Sequence, residues 1–244
     1  MMKGDRKVKR WIFAGISDKR DLLLYLCKVL ASSKHQVLLT DATEGKRYSY
    51  SIGGLDPSLQ ITQFCGFDVA TGFTNIALLE KEIIENSNLS AVYDYMLMDV
   101  DTLHFNSIDP WLVTDEILWV TSFDRYEVER SCAWFRELFL KWPELQGMKV
   151  HQLYIRTVDS YLDQDYIMGF MEDLPIEWST EPITVPWNEN NMAIQLENEY
   201  SSSLRMNRIS RSYQRALLVL LEQLVGWRTT DARRAFRQAK RREA

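Results

Sequence analysis

The 244-residue sequence lacks a long apolar stretch, which argues against a membrane-spanning helix. Its longest apolar run, from Leu22 to Ala31, is interrupted by Lys28 and is shorter than the roughly 20 residues that a membrane span needs. Residues 1–10 are polar and basic, so we expect no secretory signal at this end. The sequence therefore predicts a soluble, cytoplasmic protein.

Cysteine, histidine and glycine are also scarce. The three cysteines, Cys27, Cys65 and Cys132, lie far apart, which is typical of reduced thiols in a cytosol and not of a disulfide framework. The histidines have no metal-ligand spacing, so we expect no metal site. Ten glycines in 244 residues leave few for a phosphate-binding loop. Because no Gly-x-Ser-x-Gly motif and no Cys–His signature is present, the sequence indicates no catalytic residue.

The net charge of −5 is unevenly distributed along the chain. Residues 1–10 carry +4 and residues 227–244 carry +5, which leaves −14 for residues 11–226. We therefore divide the chain into a basic arm (1–10), one domain (11–226) and a basic tail (227–244). Either end is suited to an anionic partner, whereas the acidic body would not bind nucleic acid or a membrane over its whole surface.

Short apolar runs alternate with helix-periodic stretches throughout the domain. This alternation predicts an α/β fold with a doubly wound, mainly parallel sheet of about seven strands and helices on both faces. The predicted strands are 10–15, 36–40, 60–64, 95–99, 117–121, 150–156 and 182–186, and the predicted helices are 20–33, 75–86, 126–142, 161–173 and 208–225.

The basic tail has the pattern of a short amphipathic helix that begins near Thr229 or Thr230. Its apolar face is narrow and mostly alanine, so membrane insertion would be weak without anionic lipid. We predict that the tail binds a partner through Arg233, Arg234, Phe236, Arg237, Lys240 and Arg241. That partner is either a protein or the anionic inner face of the membrane, and nucleic acid is the weaker alternative.

Ligands of a doubly wound sheet bind where the strands end, so the residues that follow the strands form the candidate site. The segments concerned are WIFAGISDKR (11–20), VLLTD (37–41), YDYMLMD (93–99) and ILWVT (117–121). In their order along residues 8–226, they resemble the MinD/ParA group of P-loop ATPases. The resemblance implies the P-loop NTPase-like fold of that group.

The resemblance places Lys19 on the phosphate-binding lysine of the family, and Asp41 and Asp99 on two acidic positions of its nucleotide and magnesium site. With Gly15, these residues form a vestigial cofactor site. Four neighbouring positions depart from the family pattern, in which a lysine, two glycines and a magnesium-binding hydroxyl stand: Ala14, Ile16, Asp18 and Arg20. A carboxylate beside a polyphosphate is repulsive, so we expect poor binding of ATP and no resident cofactor.

Three functions follow from these observations. The first is a catalytically silent pseudo-ATPase that acts as an adaptor or scaffold for a larger bacterial machine, as in secretion, pilus placement by TadZ/CpaE-like proteins, cellulose synthesis or partition. The second is an atypical nucleotide-switch ATPase that binds ATP and Mg²⁺ through Lys19, Asp41 and Asp99. The third is a binding module for a nucleotide-like second messenger. Because Ala14 removes a contact between family subunits, a homodimer would need a nucleotide-independent interface, or the chain would pair with an active relative.

Overall fold

The computed structural model describes residues 8–53, 60–85, 93–105, 107–179 and 181–241. Within these ranges the strands form one mixed sheet. They are β1 (Lys9–Ala14), β2 (Val37–Ala42), β3 (Ile61–Phe64), β4 (Phe67–Ala70), β5 (Tyr95–Val100), β6 (Glu116–Thr121), β7 (Lys149–Thr157), β8 (Glu177–Trp178) and β9 (Ile183–Pro186).

The helices of the described residues lie between and after these strands. They are α1 (Arg20–Ser32), α2 (Tyr48–Ile52), α3 (Ile76–Glu85), α4 (Asp109–Leu112), α5 (Arg125–Lys141), α6 (Gln164–Gly169), α7 (Glu189–Ser201), α8 (Arg211–Leu220) and α9 (Thr229–Arg241). Side chains cap several N-termini: Asp124 accepts from an amide of α5, Asn188 from α7 and Ser210 from α8. Such caps satisfy amides that have no partner within the helix.

The strand order is β3-β4-β2-β5-β1-β6-β7, and β8 and β9 pair with the start and the end of β7 respectively. Every pair is parallel except the β3–β4 hairpin. The predicted doubly wound α/β fold is therefore confirmed. The predicted number of strands is wrong, because the described residues contribute nine strands to the sheet and not seven: β4 is the second arm of a tight hairpin, and β8 is only two residues long.

Helices cover both faces of the sheet. Alternate residues of β1 point to opposite faces, so Trp11 and Phe13 belong to one hydrophobic cluster, and Ile12 and Ala14 to the other. The first cluster packs beneath α1, α2, α7, α8 and α9, and the second beneath α3, α4, α5 and α6. None of the described helices combines the length and the apolar character that a membrane crossing requires.

The helix expected in the basic tail is α9, and it packs against α1. Its buried side chains are mostly small, which lets the two helices approach closely: Ala232, Ala235, Phe236 and Ala239. The chain reaches α9 through Gly226, whose φ of 75° is a left-handed conformation that glycine adopts readily. Trp227 follows and stacks on His35, which attaches the start of this segment to the domain.

Candidate functional site

The predicted site residues Gly15, Lys19, Asp41 and Asp99 meet at the carboxyl ends of β1, β2 and β5. These three strands are neighbours, with β5 in the middle, and Asp41 of β2 lies in register with Asp99 of β5. Gly15 directly follows β1, and its amide donates to the carbonyl oxygen of Val100 at 3.0 Å. The sheet topology therefore brings together residues that lie up to 84 positions apart in the chain.

Gly15 begins the loop that joins β1 to α1, and its backbone excludes a larger residue. Its φ is 130°, which residues with a side chain rarely adopt. A Cβ atom at this position would lie 2.3 Å from the carbonyl oxygen of Val120 on β6. The glycine thus allows β1 and β6 to approach where the loop leaves the sheet.

Lys19 ends the same loop and points into the protein, with only 1% of its surface exposed. Its Nζ atom lies 2.7 Å from Oδ1 of Asp99, which is equally buried, so the two charges form an ion pair. The same Nζ donates to the carbonyl oxygen of Gly15 at 2.8 Å and to that of Ser17 at 3.4 Å. The ammonium group therefore makes two hydrogen bonds and one ion pair, all with partners within this chain.

Tyr48 completes this cluster from α2. Its hydroxyl donates to Oδ2 of Asp99 at 2.7 Å, so both carboxylate oxygens of Asp99 have a partner. Burial raises the pKa of Asp99 to about 6, although the neighbouring Lys19 opposes the shift. Burial and the nearby Asp99 charge also hold the pKa of Tyr48 well above its ordinary value. Tyr48 therefore stays a neutral hydrogen-bond donor.

The other acidic groups at these strand ends also bind the chain itself. Asp41 accepts from the amide and hydroxyl of Thr43 at 3.1 and 2.5 Å, and from the amide of Tyr48 at 3.3 Å. Asp101 accepts from the amide of Glu44 at 2.7 Å. Lys46 donates to the carbonyl oxygen of Asp41 at 2.7 Å. Among the described residues, no three His, Cys, Asp or Glu side chains are grouped so that they could hold a metal ion.

Charged side chains surround the loop on its outer side. Arg20 contacts Asp18 through Nε at 3.0 Å and Nη2 at 2.8 Å, and Arg47 lies 3.3 Å from the same carboxylate. Although burial favours the neutral acid, Arg20 and Arg47 hold the pKa of Asp18 at about 2. Arg156 reaches over from β7 and donates to the backbone carbonyl of Asp18 at 2.6 Å.

A magnesium triphosphate does not fit this arrangement of residues. The ammonium group of Lys19 is occupied by Asp99 and two carbonyl oxygens, and it is almost inaccessible to solvent. The ionised carboxylate of Asp18 lies in the loop itself, where it would repel phosphate. Arg20, which follows Lys19, has a guanidinium group that also contacts Ser51 and Glu199.

The residues predicted to bind a partner lie on α9, which packs against α1. Arg233, Arg234, Arg237 and Arg241 are exposed, and Lys240 is partly buried over the ring of Phe236. Phe236 itself belongs to the core beneath α9. The ring of Phe236 is only 5% exposed, so the exposed part of the predicted set is its arginines.

Sequence reasoning missed Tyr48 and the contacts of Arg156. Tyr48 belongs to a five-residue helix with no periodic apolar pattern, and it is 51 positions from Asp99. A hydroxyl in a polar segment gave no signal that it would be buried. The arginine contacts depend on the approach of β7 to the loop after β1, which no local pattern encodes.

No protein-family model matches the sequence, and no curated protein matches it significantly. The structure has the α/β fold of the MinD/ParA group of P-loop NTPases. A plasmid partition protein from Borrelia burgdorferi, solved with AMPPNP, is similar with a TM-score of 0.55 and 14% identity, over 89% of this chain and 100% of that one. MinD of Aquifex aeolicus in its MinC:MinD complex gives 0.55 and 15%, over 93% and 95%. A variant of Cyanothece McdA, solved with ATP, gives 0.50 and 11%, over 91% and 97%.

Proposed function

We propose that this chain is a catalytically silent MinD/ParA-like protein that acts by binding. In this role it is an adaptor or scaffold that recruits, positions or regulates a larger bacterial machine, such as one for secretion, pilus assembly, cellulose synthesis or partition. The observation that carries the proposal is the buried ion pair of Lys19 with Asp99, which Tyr48 completes. The residues that would serve a nucleotide bind each other instead.

Nucleotide binding would require changes in this cluster that cost free energy. Lys19 would have to leave Asp99, and an uncompensated charge would then remain in a buried position, which costs several kcal/mol. The phosphates would also meet the carboxylate of Asp18, whose low pKa keeps it ionised at neutral pH. Both effects weaken nucleotide binding, whereas the fold needs neither event to be stable.

The solved neighbours support a role in positioning or partition. One is a plasmid partition protein, and another is a cell division protein in complex with its partner MinC. For this chain we propose a protein partner that contacts, among other residues, the exposed arginines of α9: Arg233, Arg234, Arg237 and Arg241. The same arginines would support a peripheral contact with an anionic membrane surface in the cytoplasm.

Titration calorimetry of the purified chain with ATP and with ADP, each with Mg²⁺, tests the proposal. We expect no heat of binding at high micromolar protein. Lys19→Ala, checked for folding by circular dichroism, serves as the comparison. Binding by the wild type that is lost in Lys19→Ala would overturn the proposal.

The second candidate function is an atypical nucleotide-switch ATPase. It is favoured by one observation, namely that Lys19, Asp41 and Asp99 do lie together where parallel strands end. Binding lost in Lys19→Ala would support this function. The next measurement would then be ATP hydrolysis, which must also depend on Lys19.

A further inference from the structure

The helix α7 buries mostly polar side chains and leaves a stripe of apolar ones exposed. Its inward residues are largely polar, and they are Asn191, Gln195 and Asn198, with Ile194 as the apolar exception. Its exposed residues include three apolar ones at a spacing of four, Met192, Leu196 and Tyr200, beside polar ones such as Asn190 and Glu197. A helix that gains stability from burial in its own domain places its apolar stripe toward the core. Within the part of the chain that the structure describes, the stripe stays partly open to solvent: Met192 is 45% exposed, Leu196 44% and Tyr200 94%.

Hydrogen bonds fix α7 in this orientation. Asn191 accepts from the amide of Ser210 at 2.8 Å and donates to its hydroxyl at 3.0 Å. Asn198 donates to the hydroxyl of Tyr25 at 3.1 Å and accepts from the amide of Arg205 at 2.9 Å. Rotating the helix to bury its apolar stripe would break these contacts and leave buried polar groups without partners. The outward direction of the stripe is therefore a property of the fold.

Two further aromatic residues extend the stripe into a larger surface, which we call the α7 patch: Tyr50, Trp187, Met192, Leu196 and Tyr200. Trp187 lines the same small cavity as Met192, and α2, which carries Tyr50, contacts α7. Tyr200 is 94% exposed, Tyr50 66% and Trp187 54%. Since an aromatic side chain carries roughly 150–250 Å² of surface, these three alone expose about 400 Å². With the rest of the patch, this approaches the roughly 600 Å² per chain at which specific interfaces begin.

Two of the acidic side chains beside the stripe are paired within the chain. Both carboxylate oxygens of Glu197 accept from Arg208, at 2.9 and 3.0 Å. Glu199 lies 3.2 Å from Arg20. Two copies of the patch would therefore meet without strong repulsion between these acids. A partner chosen by its charge would instead need acidic or basic groups left free around the stripe.

We propose that the α7 patch is the interface of a symmetric dimer with a second copy of this chain. Around a two-fold axis at Leu196, an antiparallel α7 pair would bring Leu196 against its own copy and Met192 against Tyr200, in both directions. Rows of side chains spaced by four residues are those that interdigitate when two helices pack. The interface lies outside the Lys19 cluster, so the dimer needs no nucleotide, and the proposal goes beyond the adaptor function and does not depend on it.

Sedimentation equilibrium of the full chain tests the dimer, from about 1 µM to about 200 µM, a range that detects micromolar dissociation constants. The wild type is expected to dimerise, with the same dissociation constant with and without ATP and Mg²⁺. Leu196→Glu is expected to weaken the dimer by at least about 100-fold, because each dimer would bury two carboxylates. Tyr200→Ala should weaken it as well, by loss of contact area.

Leu140→Glu provides the matched control, because Leu140 is 82% exposed on α5, in the opposite helical layer. This variant should dimerise like the wild type. Circular dichroism and thermal unfolding should show that all variants are folded. A wild type that stays monomeric throughout the range would overturn the proposal, and so would a dimer that Leu196→Glu and Leu140→Glu affect equally. Neither result bears on nucleotide binding, which is measured separately.

Discussion

The side-chain nitrogen of Lys19 lies 2.7 Å from a carboxylate oxygen of Asp99, and both side chains are almost completely buried. A buried pair of this kind contributes little net stability relative to apolar residues of the same size. Each charge, however, offsets the cost of burying the other. The pair explains how a lysine before α1 and an aspartate of β5 can persist in the interior. It also makes the site sensitive to any change in one partner alone.

We predict strong coupling between Lys19 and Asp99 in a double-mutant cycle. Lys19→Met and Asp99→Asn should each reduce the free energy of unfolding by about 3 to 5 kcal/mol, since each leaves a buried charge unpaired. The double variant should recover much of that loss because it leaves no charge. Urea denaturation measures all four proteins. The exposed pair of Arg208 with Glu197 is the control, with an expected coupling below about 1 kcal/mol. Additive effects at Lys19 and Asp99 would contradict the prediction.

The same variants should differ in their dependence on pH. Burial already raises the pKa of Asp99 from its ordinary 3.8 to about 6, and loss of Lys19 should raise it further. A carboxyl whose pKa is higher in the folded state stabilises the protein at low pH, and that contribution is lost as the pH rises through the folded pKa. The free energy of unfolding of Lys19→Met should therefore be closest to that of the wild type near pH 5 and furthest below it near pH 8. Lys19→Met with Asp99→Asn should lack this trend, and a parallel decline in both would argue against Asp99 as its source.

Asp18 should show the opposite dependence. Its folded pKa of about 2 lies below the ordinary 3.8, so the stabilisation is present above pH 4 and is lost as the pH falls from about 4 to 2. The shift corresponds to about 2 kcal/mol at pH 7. Asp18→Asn should remove this amount and flatten the acid limb of the stability curve, as measured by urea denaturation. An acid limb that is as steep in Asp18→Asn as in the wild type would show that other carboxylates dominate it.

The sequence predicted the fold well where burial was complete. Strands such as β1, β2 and β5 are buried through most of their length and contain runs of apolar residues, as is typical of strands covered on both faces. The prediction missed β8, whose two residues carry no periodicity, and β4, which follows the tight turn at Gly66. It also missed α7, because the usual rule places apolar side chains inward and α7 has them outward.

The candidate site was predictable only in part, and the reason is physical. Lys19, Asp41 and Asp99 follow strands, so their meeting at one edge of a parallel sheet could be inferred from the strand pattern. Their mutual neutralisation could not, because it depends on the direction of the Lys19 side chain and on Tyr48 from α2. Sequence spacing encodes which residues share an edge, but not which of them bind each other.

Gly15→Ala should be among the most damaging single substitutions in the chain. A methyl group would lie 2.3 Å from the carbonyl oxygen of Val120, at a φ of 130°. Neither backbone segment can move without disturbing the sheet, so we expect insoluble protein or a loss of several kcal/mol. Gly72→Ala is the matched control, because Gly72 has a φ of 76° but nothing within 4 Å of the added carbon. Its cost should be about 1–2 kcal/mol, and equal effects at both glycines would contradict the role of the contact with Val120.

The structure also changes how the basic tail should be tested. Because α9 packs on α1 through Phe236, Phe236→Ala should cost about 3 kcal/mol. Arg237→Ala, one residue further along the same helix, should stay within about 0.5 kcal/mol of the wild type, since its side chain is exposed. Thermal or urea unfolding distinguishes the two. Comparable losses would mean that α9 does not pack as described.

Deletion of residues 227–244 would therefore expose part of the core as well as remove charge, and a loss of partner binding would be ambiguous. Charge reversal at Arg233 and Arg237 separates the two effects, because both side chains are exposed and neither belongs to the core. We expect Arg233→Glu with Arg237→Glu to fold like the wild type. Binding to a partner or to vesicles of anionic lipid should fall at least about tenfold. Unchanged binding in this variant, with unchanged stability, would exclude the basic face of α9 as the contact surface.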